Sequence, residues 1–77
     1  MFQKDSVKVK FGLNLARIRS QSGLTHADME EYGISRAYYG RIELGTHAVS
    51  LDKLDAISKA FGVPIYQLFI DEDGEPI

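Results

Sequence analysis

Residues 25–45 read THADMEEYGISRAYYGRIELG, and this stretch decides the fold. Thr25 is a favoured helix N-cap. Asp28 stands three residues on, which is close to a capping box: hydroxyl and carboxylate each satisfy a backbone N–H at the helix start. A short helix is therefore expected from His26 to about Tyr32. Gly33 ends it, because a residue without Cβ takes the left-handed conformation of a sharp reversal at no steric cost. Ser35 then caps another helix, Arg36 to Leu44, which stops at Gly45. Two helices joined by about three residues around a glycine have helix-turn-helix geometry.

The flanking sequence has the same punctuation. Upstream, Phe11, Leu15, Ile18 and Ser22 recur at i, i+4, i+7 and i+11, a single helical stripe flanked by Val7 and Leu13. Asp5 or Ser6 caps this helix, and Gly23 follows its end. The alternation from Val7 to Phe11 also suits a strand, but a lone short strand has no partner here. Downstream, Ser50 is an N-cap, with Val49 and Leu54 placed as a hydrophobic staple. The buried stripe of that helix is expected to be Leu51, Leu54, Ile57, Ser58 and Phe61, and Gly62 closes it. Pro64 opens a fifth segment at the first helical position, where its missing N–H is tolerated; Ile65, Leu68 and Phe69 form its apolar side. Five helices with short joints and no strand predict an all-α domain, a compact five-helix bundle over residues 1–70. Residues 71–77 form an acidic tail with little to bury, expected to be flexible.

Composition narrows the function. A chain of 77 residues is one small domain that buries only ~60–65% of its unfolded surface. It has no cysteine and only two histidines, so neither a disulfide nor a thiolate zinc site is expected, and no cofactor. Oligomerisation is the available source of extra stability. No apolar run approaches the ~20 residues of a membrane span, and the first residues are not expected to be a signal peptide, which points to the cytoplasm, in association with the nucleoid. The formal charge is -2, but Asp71, Glu72, Asp73 and Glu75 cluster in the tail. Residues 1–70 carry nine basic against seven acidic side chains, so the body is weakly basic, and the local field matters more than the sum. No arrangement of nucleophile and base, phosphate-binding glycine loop or paired carboxylates is visible, so an enzyme is not expected.

The stretches Arg17 to Thr25, Tyr32 to Gly45, Val49 to Leu54 and Ala60 to Phe69 resemble the xenobiotic-response-element family, which includes the phage Cro and repressor DNA-binding domains. The resemblance covers Phe11 to Phe69. Within it, the single-domain length and the run Val49-Ser50-Leu51 resemble the controller proteins of restriction–modification systems. The resemblance implies a lambda-repressor-like fold and a transcriptional regulator that binds duplex DNA sequence-specifically. It also implies that the His26–Tyr32 segment crosses the DNA backbone, while the segment of about residues 35–44 enters the major groove, ~12 Å wide and able to admit one helix. Three departures stand out. Seven residues lie between Thr25 and Gly33 where the family usually has eight, and Met29-Glu30 replaces its buried Leu-Ala pair. Tyr39 stands where an aliphatic residue normally packs, which reads as a tyrosine filling the space left by a shorter segment and as a source of an altered docking angle.

Individual expectations follow. Arg36, on the first turn, suits a bidentate contact to guanine O6 and N7; Ala37 suits a thymine methyl; Arg41, one turn on, suits a base or a phosphate. Ser35 is a cap that also faces DNA. Tyr38 is expected to be exposed toward DNA, as a phosphate donor or a surface aromatic. Thr25 caps the backbone-crossing segment and His26 opens it; the family often has a glutamine there that contacts phosphate, and helix N-terminal amides attract phosphate, so the resemblance implies a phosphate contact at His26, with simple exposure as the alternative. Thr46 and His47 lie in a loop where donors commonly meet phosphate. The family resemblance pairs Arg19 with Glu43 as a structural salt bridge. Ile65, Tyr66 and Phe69 form a candidate self-complementary patch for a two-fold homodimer, which would read a pseudo-palindromic operator. An antitoxin-like or adaptor module on the same fold is the alternative reading, distinguished by salt dependence, which is steep for a DNA binder.

Overall fold

The computed structural model describes residues 6–77. The helices form where caps and glycines place them. Ser6 Oγ accepts from the Val9 N–H at 3.3 Å and starts α1, Val7–Gln21. Thr25 and Asp28 exchange hydrogen bonds at the start of a short 3₁₀ segment, η1, Ala27–Tyr32. Ser35 caps α2, Arg36–Glu43, and Ser50 caps α3, Leu51–Phe61. After Pro64 comes a second 3₁₀ segment, η2, Ile65–Phe69. Asp5, the other candidate cap, lies outside the described residues.

The expected five-helix bundle is therefore corrected: among the described residues three elements are α-helices, and the second and fifth segments are short 3₁₀ turns. The reason is geometric for η1. A 3₁₀ helix rises ~2.0 Å per residue against ~1.5 Å in an α-helix, so a stretch one residue short still spans the distance between its neighbours. Gly33 then reverses the chain at φ +80°, and Lys53 Nζ of α3 donates to its carbonyl at 2.8 Å, tying the turn to the next helix.

The core is contiguous. Phe11, Leu15 and Ile18 of α1 meet Met29, Ile34, Tyr39 and Ile42, with Leu54, Ile57 and Phe61 of α3 and Leu68 of η2 completing it. Two stripe expectations fail at their ends. Leu51 is 81% exposed, because it is the first residue after its cap and precedes the turn that docks. Leu13, Val7 and Ser22 also lie outside the core. Between Phe11 and Leu15 the helix instead buries Gly12 and Asn14. Gly12 packs under α2 so tightly that a Cβ there would overlap the carbonyl oxygens of Glu43 and Ile42, the latter at 2.6 Å.

Residues 71–77, expected to be loose, fold back instead. Ile70 and Pro76 form an isolated antiparallel bridge, and the Ile77 N–H donates to the Phe69 carbonyl at 2.8 Å. Asp71 Oδ1 accepts from the N–H groups of Asp73 and Glu75 at 2.9 Å each, closing the turn. Asn14 Nδ2 donates to the carbonyls of Leu68 and Ile70, both at 2.8 Å, while its Oδ1 accepts from Arg17. Buried carbonyls at the end of η2 thereby find donors on α1, as buried backbone groups require.

Candidate nucleic-acid interface

The outward face of α2 is set by what the opposite face buries. Tyr39 and Ile42 point into the core, so at 100° per residue Ala37 and Leu44 lie at the centre of the exposed side, with Arg36, Gly40 and Arg41 beside them. Arg36, Ala37 and Arg41 are exposed and Gly40 is half-buried. The first turn begins at the Ser35 cap, whose Oγ accepts from the Tyr38 N–H at 3.1 Å.

A part-buried polar network holds this helix at a fixed rotation. Arg19 Nε donates to Glu43 Oε2 at 2.6 Å, and Nη2 donates to Oε1 at 3.2 Å, a two-pronged pair. Its Nη1 donates to the Leu24 carbonyl at 2.8 Å, so α1 also anchors the chain entering η1. The side chains are 19% and 9% exposed, which reduces solvent screening. The Arg19–Glu43 pair expected from the family resemblance is thus present in the geometry.

The sequence reading missed that His26 joins the pair. Its Nε2 lies 3.0 Å from Glu43 Oε1, and its ring meets Tyr39 edge-on at 5.4 Å between centroids. Burial favours a protonated Glu43, but hydrogen bonds from Arg19 and His26, the neighbouring Tyr39 hydroxyl and the guanidinium charge together outweigh it, and its carboxyl sits below the usual range. Arg19 is stabilised as a cation by the same contact. Burial, then the adjacent carboxylate, pushes the Tyr39 hydroxyl well above its ordinary value; that hydroxyl is enclosed and makes no hydrogen bond of good geometry. Because Glu43 is ionised, His26 Nε2 must be the donor, and Nδ1 of a neutral ring is then an acceptor.

Beyond α2, Thr46 Oγ1 donates to the Arg41 carbonyl and lies 3.1 Å from His47 Nδ1, which places both on the exposed loop expected for them. Tyr38 is corrected. It is half-buried rather than standing free: its hydroxyl donates to the Ala48 carbonyl at 3.0 Å and its ring meets His47 edge-on. The phenol thus braces the loop carrying Thr46 and His47 against α2. Thr25 is exposed, with its hydroxyl engaged in the cap. On the far side, Phe69 is 37% exposed because one face stacks on Phe11 at 4.8 Å; Ile65 and Tyr66 are 40% and 66% exposed.

The arrangement is a short helix with an exposed arginine-bearing face, fixed in rotation by a part-buried pair and preceded by a glycine turn. Residues 15–68 match the family model described as helix-turn-helix, and the chain belongs to that family. It is a DNA-binding regulator of transcription. It is similar to the control protein C.MunI of a Mycoplasma species, 32% identical over 75 residues, 92% of this chain and 99% of that protein. It is also similar to the control protein C.BamHI of Bacillus amyloliquefaciens, 38% identical over 61 residues, 77% of this chain and 75% of that one. Among solved structures it resembles the restriction–modification controller protein C.AhdI from Aeromonas hydrophila, with a TM-score of 0.76 and 32% identity over 79% of this chain and 94% of that one. The DNA-binding domain of BldD aligns with a TM-score of 0.69 and 30% identity, over 79% of this chain and 90% of that domain. No helix among the described residues is long and apolar enough to cross a membrane.

Proposed function

We propose that the chain is a controller-type regulator that binds a pseudo-palindromic operator in duplex DNA as a homodimer and governs transcription of a restriction–modification system. The observation that carries this reading is the outward face of α2. Arg36, Ala37 and Arg41 share it, and the Arg19–Glu43 pair behind it leaves the helix little freedom to turn. A helix held in rotation, with an arginine on its first turn, suits a major-groove reader. The names of the relatives support the restriction–modification setting. Thr46 and His47 flank the helix as backbone contacts, and His26 reaches a phosphate through Nδ1 only when doubly protonated, since Nε2 is committed to Glu43.

The dimer rests on Ile65 and Tyr66, adjacent apolar side chains left exposed on η2. Phe69 adds only the ring face that Phe11 leaves uncovered. One module reads few base pairs and buries little surface, and pairing two of them ~34 Å apart gives a site of two half-sites one turn apart.

Arg36→Ala tests the reading by titration of labelled duplexes. Affinity for the operator is expected to fall by ~1–3 kcal/mol, with little change on random DNA. Equal loss on both would reassign Arg36 to phosphate.

A further inference from the structure

Each of the seven glycines in this chain but one has a reason within the fold. Gly23, Gly33, Gly45, Gly62 and Gly74 all adopt positive φ. Gly12 lies under α2, where a Cβ would overlap backbone oxygens. Gly40 has neither reason. It sits inside α2 with an ordinary helical φ, and a Cβ built on it would meet only the His26 ring, at 3.5 Å from Nδ1 and 3.7 Å from Cε1. Those are ordinary contacts. A glycine in a helix interior weakens the helix relative to alanine, since it loses more backbone freedom on folding. The free protein would therefore be more stable with alanine at this position.

The missing side chain leaves a notch on the outward face. Gly40 lines it together with Leu13 and Ala16 of α1, His26, Arg36 and Leu44. Arg36, the base reader proposed above, is one turn before Gly40, and Leu44 is one turn after. A helix-interior glycine with no internal purpose is explained where another backbone must come close.

We infer that the notch at Gly40, on the flank of the outward face beside Ala37 and Leu44, admits the DNA to the backbone of α2, and that the missing side chain sets how deeply the helix seats in the major groove. Gly40 is a positioning residue: it donates nothing to the DNA, but it fixes the depth from which Arg36 and Arg41 reach the base edges. This rests on the reading of α2 as the recognition helix. The inference predicts opposite signs for stability and binding from one methyl group.

The test compares Gly40→Ala, Gly40→Leu and Arg36→Ala with the parent, by thermal melting of the free proteins and by titration of an operator duplex selected from genomic fragments. Gly40→Ala is expected to raise the melting temperature by ~2–8 °C and to weaken operator binding roughly ten-fold. Gly40→Leu is expected to weaken binding further. If Gly40→Ala melts higher but binds like the parent while Arg36→Ala loses operator affinity, the inference fails and the DNA-binding reading stands. A lower melting temperature for Gly40→Ala also overturns the inference, since the fold itself would then require the glycine. If none of the three variants weakens binding, α2 is not the reading element, and both fall.

Discussion

Gly12→Ala is expected to lower the melting temperature by ~12–24 °C. Overpacking a core costs about 1–3 kcal/mol and sometimes more, and each kcal/mol shifts a domain of this size by ~4–8 °C. The upper end applies because the obstacle is backbone. The carbonyl oxygens of Ile42 and Glu43 occupy the space a Cβ would take, and neither can swing aside as a long side chain would. Either α1 and α2 move apart, or the last turn of α2 distorts. Both responses strain the Arg19–Glu43 pair, which spans the same two helices. The same substitution at Gly40 is expected to act in the opposite direction, so the pair of variants separates steric demand from helix propensity. A melting temperature for Gly12→Ala within a few degrees of the parent would show that the two helices are not in such close contact.

The second large effect is expected from Glu43→Gln. Removing one member of a largely buried ion pair costs about 3–5 kcal/mol, because the remaining charge loses its partner while still shielded from water. The lower end fits here, since Arg19 keeps its bond to the Leu24 carbonyl and some contact with solvent. Arg19→Met should be comparable. The double variant should cost less than the sum of the two, since no unpaired charge is left behind. The carboxyl of Glu43 is held below its ordinary value of 4.5 in the folded chain. A depressed carboxylate contributes stability that is fully present above its unfolded value and lost as pH falls through its folded value. The stability gap between parent and Glu43→Gln is therefore expected to be full near neutrality and to narrow in acid below about pH 4.5. Denaturant melts across the acid range measure this, and a gap that stays constant as pH falls would contradict the assignment.

What could be read from the sequence was local. Ser6, Ser35 and Ser50 cap helices, and Gly33 and Gly62 end them with left-handed backbone, because caps and reversals depend on residues a few positions apart. The outward placement of Arg36, Ala37 and Arg41 follows from the period of α2 once Tyr39 and Ile42 face inward. Contacts across the chain were less visible. Gly12 resembled any glycine in a helix, because its reason lies about thirty positions away in α2. Asn14 interrupts an apolar stripe, and that was a usable signal: a buried amide needs partners, which prove to be carbonyls of η2 and Ile70. The choice between 3₁₀ and α in η1 left no trace in hydrophobic spacing, since six residues are too few to separate a period of ~3.0 from ~3.6. The tail turn depends on Asp71 accepting from two backbone N–H groups, and counting its acids concealed that role. Position on the helix points Tyr38 toward DNA, and the family resemblance does the same for His26, whereas the Ala48 carbonyl and Glu43 engage them first.

The most direct test of a dimeric, groove-reading regulator is selection of genomic duplex fragments, with the best one footprinted and titrated at rising salt. The account predicts protection of two half-sites centred about one helical turn apart. It also predicts binding that falls steeply and linearly on a log–log plot against salt concentration, with two chains bound per site. Failure to enrich any duplex, affinity indifferent to salt, or full affinity of a single chain for one half-site would contradict it.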